Sequence, residues 1–202
     1  RGRLSTNFAE AGALLRSHQG LSQPDVQLHF VVAPLVNHGL ELVRGHGFSV
    51  HVCALQPRSR GTVRLRDASP HSAPLIDPQF LSEPEDVQTL LRGVRHARQI
   101  LAQPALAQHG QEWARSAKAQ SDAELEAWIR QNADTIYHPV GTCRMGQDAL
   151  AVVDPQLRVH GVPGLRVVDA SVMPRIVSGN TNAPTIMLAE RAAHFMRRDG
   201  CA

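Results

Sequence analysis

His138 stands in the run Tyr137-His138-Pro139-Val140-Gly141-Thr142-Cys143-Arg144-Met145-Gly146, an ionisable imidazole beside a proline and a Gly-Thr turn. A second polar run, Ser178-Gly179-Asn180-Thr181-Asn182-Ala183-Pro184-Thr185, sets Asn182 where a proline announces a new helix. A neutral imidazole titrates near ~6.5, so it can take a proton from a hydroxyl close to neutral pH. An amide at a helix start can hold an oxygen, and the start itself carries free N–H groups and about half a positive charge, which favours an anion. Each residue also has an ordinary reading, His138 as a hydrogen-bonded structural histidine and Asn182 as an N-cap. Paired at the ends of elements, they suit a reacting centre, which a packed core does not need.

Other chemistries fit less well. Ser178-Gly179 lacks the Gly-x-Ser-x-Gly elbow of a serine hydrolase. Gly45-His46-Gly47-Phe48 imitates a dinucleotide fingerprint, but it has no third glycine and runs into a strand pattern instead of opening a helix. The 11 histidines never pair with cysteines at zinc spacing, so no metal site is expected. The 21 basic residues are scattered and the net charge is only +3, which argues against nucleic acid as a partner. No apolar run approaches the ~20 residues of a membrane-spanning helix. Cys53, Cys143 and Cys201 are too few and too far apart for a disulfide scaffold, which fits a reducing, cytoplasmic setting, with peripheral membrane association left open. The start at Arg1-Gly2-Arg3 reads as a cut inside a longer chain.

The elements that must position these residues form an α+β pattern. Apolar residues alternate at Val26, Leu28, Phe30 and Val32, and again over Phe48 to Leu55. After a turn at Pro57 to Gly61, Val63 and Leu65 face one way and Arg64 and Arg66 the other, so the expectation is one antiparallel sheet with helices on one face. Ser82-Glu83-Pro84-Glu85 reads as a capping box opening a helix through Val87, Leu90, Leu91, Val94 and Leu101, with Pro104 just beyond its end. Ser121-Asp122-Ala123-Glu124 repeats the box, ahead of a stripe of Leu125, Trp128 and Ile129. Leu157 to His160, a turn at Gly161 to Gly164 and Leu165 to Ala170 read as a hairpin or adjacent strands ending in a loop, with Val167 and Val168 in succession suggesting burial on both faces. Pro184 to Arg198 reads as a closing helix with Ile186, Ala189, Ala193 and Met196 on its packed side.

The two polar runs, with His29-Phe30, Gly45-His46-Gly47-Phe48, Ser59-Arg60-Gly61, Ile76-Asp77-Pro78, Val153-Asp154, Arg158-Val159, Val168-Asp169-Ala170-Ser171 and Met173-Pro174, closely resemble the C-terminal part of the glucose–methanol–choline family of flavin-dependent oxidoreductases. The resemblance is greatest to its choline-dehydrogenase-like branch. It implies that His138 is the principal catalytic histidine and Asn182 the second catalytic position. It also implies FAD contacts from Tyr137, His138, Asp169, Ala170, Asn182, Ala183, Pro184 and Thr185, with Asp169 and Ala170 approaching the ribityl–phosphate region and the helix start facing the flavin pyrimidine edge. The implied reaction oxidises a primary alcohol to an aldehyde, a base taking the hydroxyl proton while hydride passes to flavin N5. Residues 1–136 would be a substrate-binding domain, and 137–202 the catalytic motif with a strand and helix belonging to an FAD domain. That domain's glycine-rich phosphate fingerprint is missing here, so the partners implied are the alcohol substrate and an N-terminal FAD-binding portion of the same enzyme. The alternative is a non-catalytic binding module or separately encoded fragment that needs a partner chain. Aromatics make up only 4% of the chain, too few to assign a cage for a quaternary ammonium substrate.

Overall fold

The computed structural model describes residues 6–37, 40–41 and 43–200; Arg1-Gly2-Arg3 and Cys201 lie outside the described residues. The chain forms two compact units, one from residues 1–59 and 81–134, the other from 60–80 and 135–202. Both mix helical segments with small antiparallel sheets. No helix among the described residues is long and apolar enough to cross a membrane.

In the first unit, β1 (Ala9–Leu15), β2 (Val26–Val31) and β3 (Ser49–Ala54) form a sheet in the order β1-β2-β3. The alternating patterns locate β2 and β3. They do not locate β1, whose Ala-Glu-Ala-Gly-Ala run has poor strand propensity and is held by its pairing with β2. Pairing sets Ala13, Leu28 and Val52 side by side, and likewise Leu15, Val26 and Ala54, because directly opposed residues share a face. The helix α1 (Pro84–Leu101) covers that face, with Ala97 joining Val26 and Leu28 in the core. At the crossing, a Cβ on Gly93 would stand 2.7 Å from a Val52 methyl, so the backbones approach more closely than any larger residue allows.

The start of α1 departs from the expected capping box. Glu83 occupies the N-cap position with no side-chain cap, and Ser82 plays no part. A distant serine serves instead. The Ser59 hydroxyl accepts from the Glu83 N–H (3.2 Å), while the buried Asp86 carboxylate accepts from the Arg58 N–H (2.7 Å), the Ser59 N–H (2.8 Å) and the Ser59 hydroxyl (2.5 Å). Pro104 lies just beyond the end of α1, as read, and also opens the short helix α2 (Pro104–Ala107), which α3 (Ala114–Ala117) follows. The second box is as read: Ser121 caps α4 (Asp122–Asn132) reciprocally with Glu124, and Leu125 and Ile129 pack with Val87 and Leu91 of α1.

In the second unit, β4 (Thr62–Arg64) does not extend the first sheet but pairs with β5 (Leu75–Asp77) in a hairpin of its own. Gly61 precedes it because a Cβ there would run into the Asp77 carbonyl and Pro78. The strand expected over 165–170 does not form. Arg158 and Arg166 make one isolated bridge, and the chain then closes into a 3-10 turn over Ala170–Val172 capped by Asp169. Val167 and Val168 are half-buried against a core of Val153, Leu157, Val172, Met173, Leu188 and Ala192. The last two belong to α5 (Asn182–Arg198), whose buried side is Leu188, Ala192 and Phe195, not the stripe of Ile186, Ala189, Ala193 and Met196. This helix is apolar around much of its first two turns, so periodicity alone does not choose the packed side.

Candidate active site

The His138 motif is fastened to the second unit's core at several points. The backbone N–H groups of Gly141 and Cys143 both donate to the Ser171 carbonyl (3.0 Å each), and that of Met145 donates to the Val172 carbonyl (2.8 Å). Gly141 makes the turn with φ +93°, a conformation that a side chain would strain. Val140 and Met145 pack on the same core that holds Leu188 and Ala192 of α5. Two chain segments distant in sequence are thus fixed to one body, and their polar residues meet at its surface.

They meet at His138. Its Nδ1 lies 2.9 Å from the Thr181 hydroxyl and its Nε2 lies 2.8 Å from the Asn180 amide nitrogen. Thr181 is buried and Asn180 exposed, so one side of the ring is turned to the protein and the other outward. Neither partner has a role in the sequence reading, although both lie inside the second polar run. Asn182, singled out there, is exposed and begins α5 as its first helical residue, with Thr181 in the N-cap position. The reading of Asn182 as the N-cap is therefore displaced by one residue. Tyr137 is exposed, with φ +65°, a left-handed conformation that costs a non-glycine residue and sits directly before the imidazole.

Asp169 and Ala170 lie on the turn that anchors the His138 loop. The Asp169 carboxylate accepts from the Ser171 N–H (2.7 Å), and Ala170 packs on the core. The Ser171 hydroxyl is buried and has no hydrogen-bond partner among the described residues. At the start of α5 no side chain caps the helix, and the N–H groups of Asn182 and Ala183 find no acceptor among the described residues. Pro184 has no N–H to satisfy, and Thr185 donates both its N–H (3.0 Å) and its hydroxyl (2.7 Å) to the Thr181 carbonyl.

Charged residues of the motifs do structural work nearby. Arg144 grips Asp148 through two bonds (2.8 and 2.5 Å), and that grip holds the Asp148 carboxyl well below the usual carboxylate range. Burial pushes the Asp154 carboxyl up, but hydrogen bonds from the Arg158 and Gln156 backbones and the Arg158 guanidinium outweigh it and leave it below its ordinary value. Both carboxylates are thereby committed to shaping turns.

Comparison with known proteins agrees with the motifs. The GMC oxidoreductase family profile matches residues 57–189. An alcohol dehydrogenase [acceptor] of Pseudomonas putida is 47% identical over 98% of this chain and 36% of its own length. An oxygen-dependent choline dehydrogenase of Escherichia coli is 42% identical over 96% of this chain and 34% of its own. Among solved structures, pyridoxine 4-oxidase from Mesorbium loti superposes with a TM-score of 0.82 at 30% identity, covering 95% of this chain and 38% of that one. A formate oxidase superposes with a TM-score of 0.80 at 28% identity, covering 89% and 32%. The chain spans about a third of the length of the curated relatives it matches. With its two signature runs joined at His138 and its profile match extending over most of its length, the chain belongs to the GMC oxidoreductase family.

Proposed function

We propose that the chain is the catalytic, substrate-facing C-terminal portion of an FAD-dependent enzyme that oxidises a primary alcohol to an aldehyde. The observation that carries this reading is the imidazole of His138, held from both ring nitrogens by residues of the α5 start, with one of those nitrogens on the exposed side. The names of the relatives, an alcohol and a choline dehydrogenase, support the same substrate class.

The residues present fit a flavin. A buried hydroxyl without a partner at Ser171 and two open N–H groups at Asn182 and Ala183 are donors in want of acceptors, as the phosphate-linked chain and pyrimidine edge of FAD would provide. Asp169, Ala170 and Asn182 to Thr185 would hold the cofactor, with Tyr137 bordering it. Bound FAD supplies the acceptor for a hydride from the alcohol carbon. The chain's own residues do the rest. The His138 imidazole takes the hydroxyl proton, so that C–H cleavage leaves a neutral aldehyde. The Asn182 amide orients the substrate oxygen, and the positive end of α5 stabilises negative charge arising beside it. Ile186 and Met187, exposed by 56% and 55%, suit a surface that the remainder of a longer enzyme covers. Sparse cysteines suit a cytoplasmic site of action.

The test is His138→Ala in the flavin-loaded enzyme that carries this segment. Stopped-flow flavin reduction by a saturating alcohol should slow by about 10²–10⁴-fold while flavin content is retained. An undiminished rate would remove His138 from the chemistry.

A further inference from the structure

We infer that Thr181 is a positioning residue that holds His138 in its Nδ1–H tautomer and so makes Nε2 the basic nitrogen. Its catalytic consequence rests on the reading of His138 as the base; the tautomer itself does not.

Two contacts define the proton's place. An amide nitrogen only donates, so Nε2, 2.8 Å from the Asn180 Nδ2, is the accepting nitrogen of the ring. A neutral imidazole carries one proton, which then sits on Nδ1 and is donated to the Thr181 hydroxyl oxygen 2.9 Å away.

The placement of Thr181 shows why this hydroxyl is free for the task. A threonine in the N-cap position ordinarily has extended backbone and turns its hydroxyl onto the N–H groups of the first helical turn. Thr181 instead has φ −86° and ψ −5° and makes no cap bond. The helix start thus goes without a side-chain cap, typically worth about 1 kcal/mol, and the hydroxyl goes to the imidazole. Its position is well determined, because Thr181 is only 8% exposed and its carbonyl is gripped twice by Thr185. The ring is tethered from the other side through Val140 and the Gly141 turn. With Nδ1 tied inward, the lone pair of Nε2 points outward to Asn180, where the amide occupies the place that an alcohol hydroxyl would take.

Thr181→Val keeps the branched shape and removes the acceptor. The Nδ1–H would then be buried unsatisfied, so the ring goes to the Nε2–H form, with the exposed Asn180 amide turned over to accept through its Oδ1 and the Nδ1 lone pair turned into the protein. Thr181→Ser keeps the oxygen.

The experiment is a long-range ¹H–¹⁵N correlation of the histidine-labelled 202-residue chain at alkaline pH, with His138 assigned by the signal lost in His138→Gln. Wild type and Thr181→Ser should show a protonated Nδ1 and a pyridine-type Nε2, and Thr181→Val the reverse. In the flavin-loaded enzyme, Thr181→Val should lower kcat for flavin reduction by at least about tenfold, up to the ~10⁴-fold seen when a catalytic histidine is left in the wrong tautomer, with KM little changed and Thr181→Ser restoring the rate. A protonated Nε2 in the wild-type ring, or an unchanged tautomer in Thr181→Val, would overturn the assignment. Should Thr181→Val fail to fold, the wild-type spectrum alone decides. Because that spectrum needs no turnover, failure of the base reading registers separately, as undiminished flavin reduction in His138→Ala.

Discussion

Replacing Asp86 by alanine tests whether the first unit depends on a contact that no local sequence pattern announces. The carboxylate is 5% exposed and accepts three hydrogen bonds, at 2.7, 2.8 and 2.5 Å, from Arg58 and Ser59. Hydrogen bonds to a charged group contribute about 1.5–3 kcal/mol each, but three on one carboxylate are not additive and the Ser59 hydroxyl can turn to another acceptor. A loss of about 3–5 kcal/mol is therefore expected, against the 5–15 kcal/mol typical of a whole domain. Asp86→Asn keeps one acceptor oxygen and turns an amide toward a donor, so a smaller loss of about 2 kcal/mol is expected. Urea unfolding followed by tryptophan fluorescence reads this unit selectively, because the chain's 2 tryptophans, Trp113 and Trp128, both belong to it. A change below about 1 kcal/mol in Asp86→Ala would refute the reasoning, since a buried carboxylate with three donors cannot be removed so cheaply.

Because Asn182 is the first helical residue and not the cap, Asn182→Ala should leave the thermal stability of the chain unchanged or slightly raised, where loss of a true cap costs about 0.5–2 kcal/mol. A clear drop in Tm would return Asn182 to the capping role; in the flavin-loaded enzyme the same variant should slow flavin reduction. Burial, and then the charge of His29 directly across the strands, hold the His51 imidazole below its ordinary value. Folding thus favours the neutral ring, so the stability it brings is complete above about pH 6.5 and is lost as pH falls through the folded-state value. The urea midpoint of the first unit should drop between pH 7.5 and 5.5 and drop less in His51→Gln. Asp148 and Asp154, held low, do not titrate in that window, so equal drops in both proteins would exclude His51 as the cause.

Legibility in the sequence followed the range of the interaction. Strands β2 and β3 and the Ser121 cap rest on contacts within a few residues or on strict alternation, and they lie where their patterns put them. The start of α1 looked equally local, yet its polar partners come from Ser59 and Arg58, which no spacing rule connects to Glu83 or Asp86. The edge strand β1 has too little propensity of its own to be seen before its neighbour is placed. At the site, the residue types pointed to His138 and to the polar run after Ser178. Choosing among Asn180, Thr181 and Asn182 was beyond them. That choice is made by where α5 takes its first turn, because a shift of one residue rotates a side chain by about 100° around the helix axis.

The order in which the chain visits its two units bears on how it emerges from a ribosome. Residues 60–80 leave the first unit before that unit is complete and join the second, which does not resume until residue 135. The β4–β5 hairpin, with Val63, Leu65 and Ile76 at least half exposed, is thus synthesised well before the residues that complete its unit. At translation rates of about 5–20 residues per second that interval lasts several seconds, and a two-stranded hairpin alone has marginal stability in water. Neither unit can be obtained by a single cut, since any break between residues 60 and 134 leaves both with a missing strand, helix or turn. A nascent chain of this design spends longer exposed to chaperones and proteases than its 202 residues alone would imply.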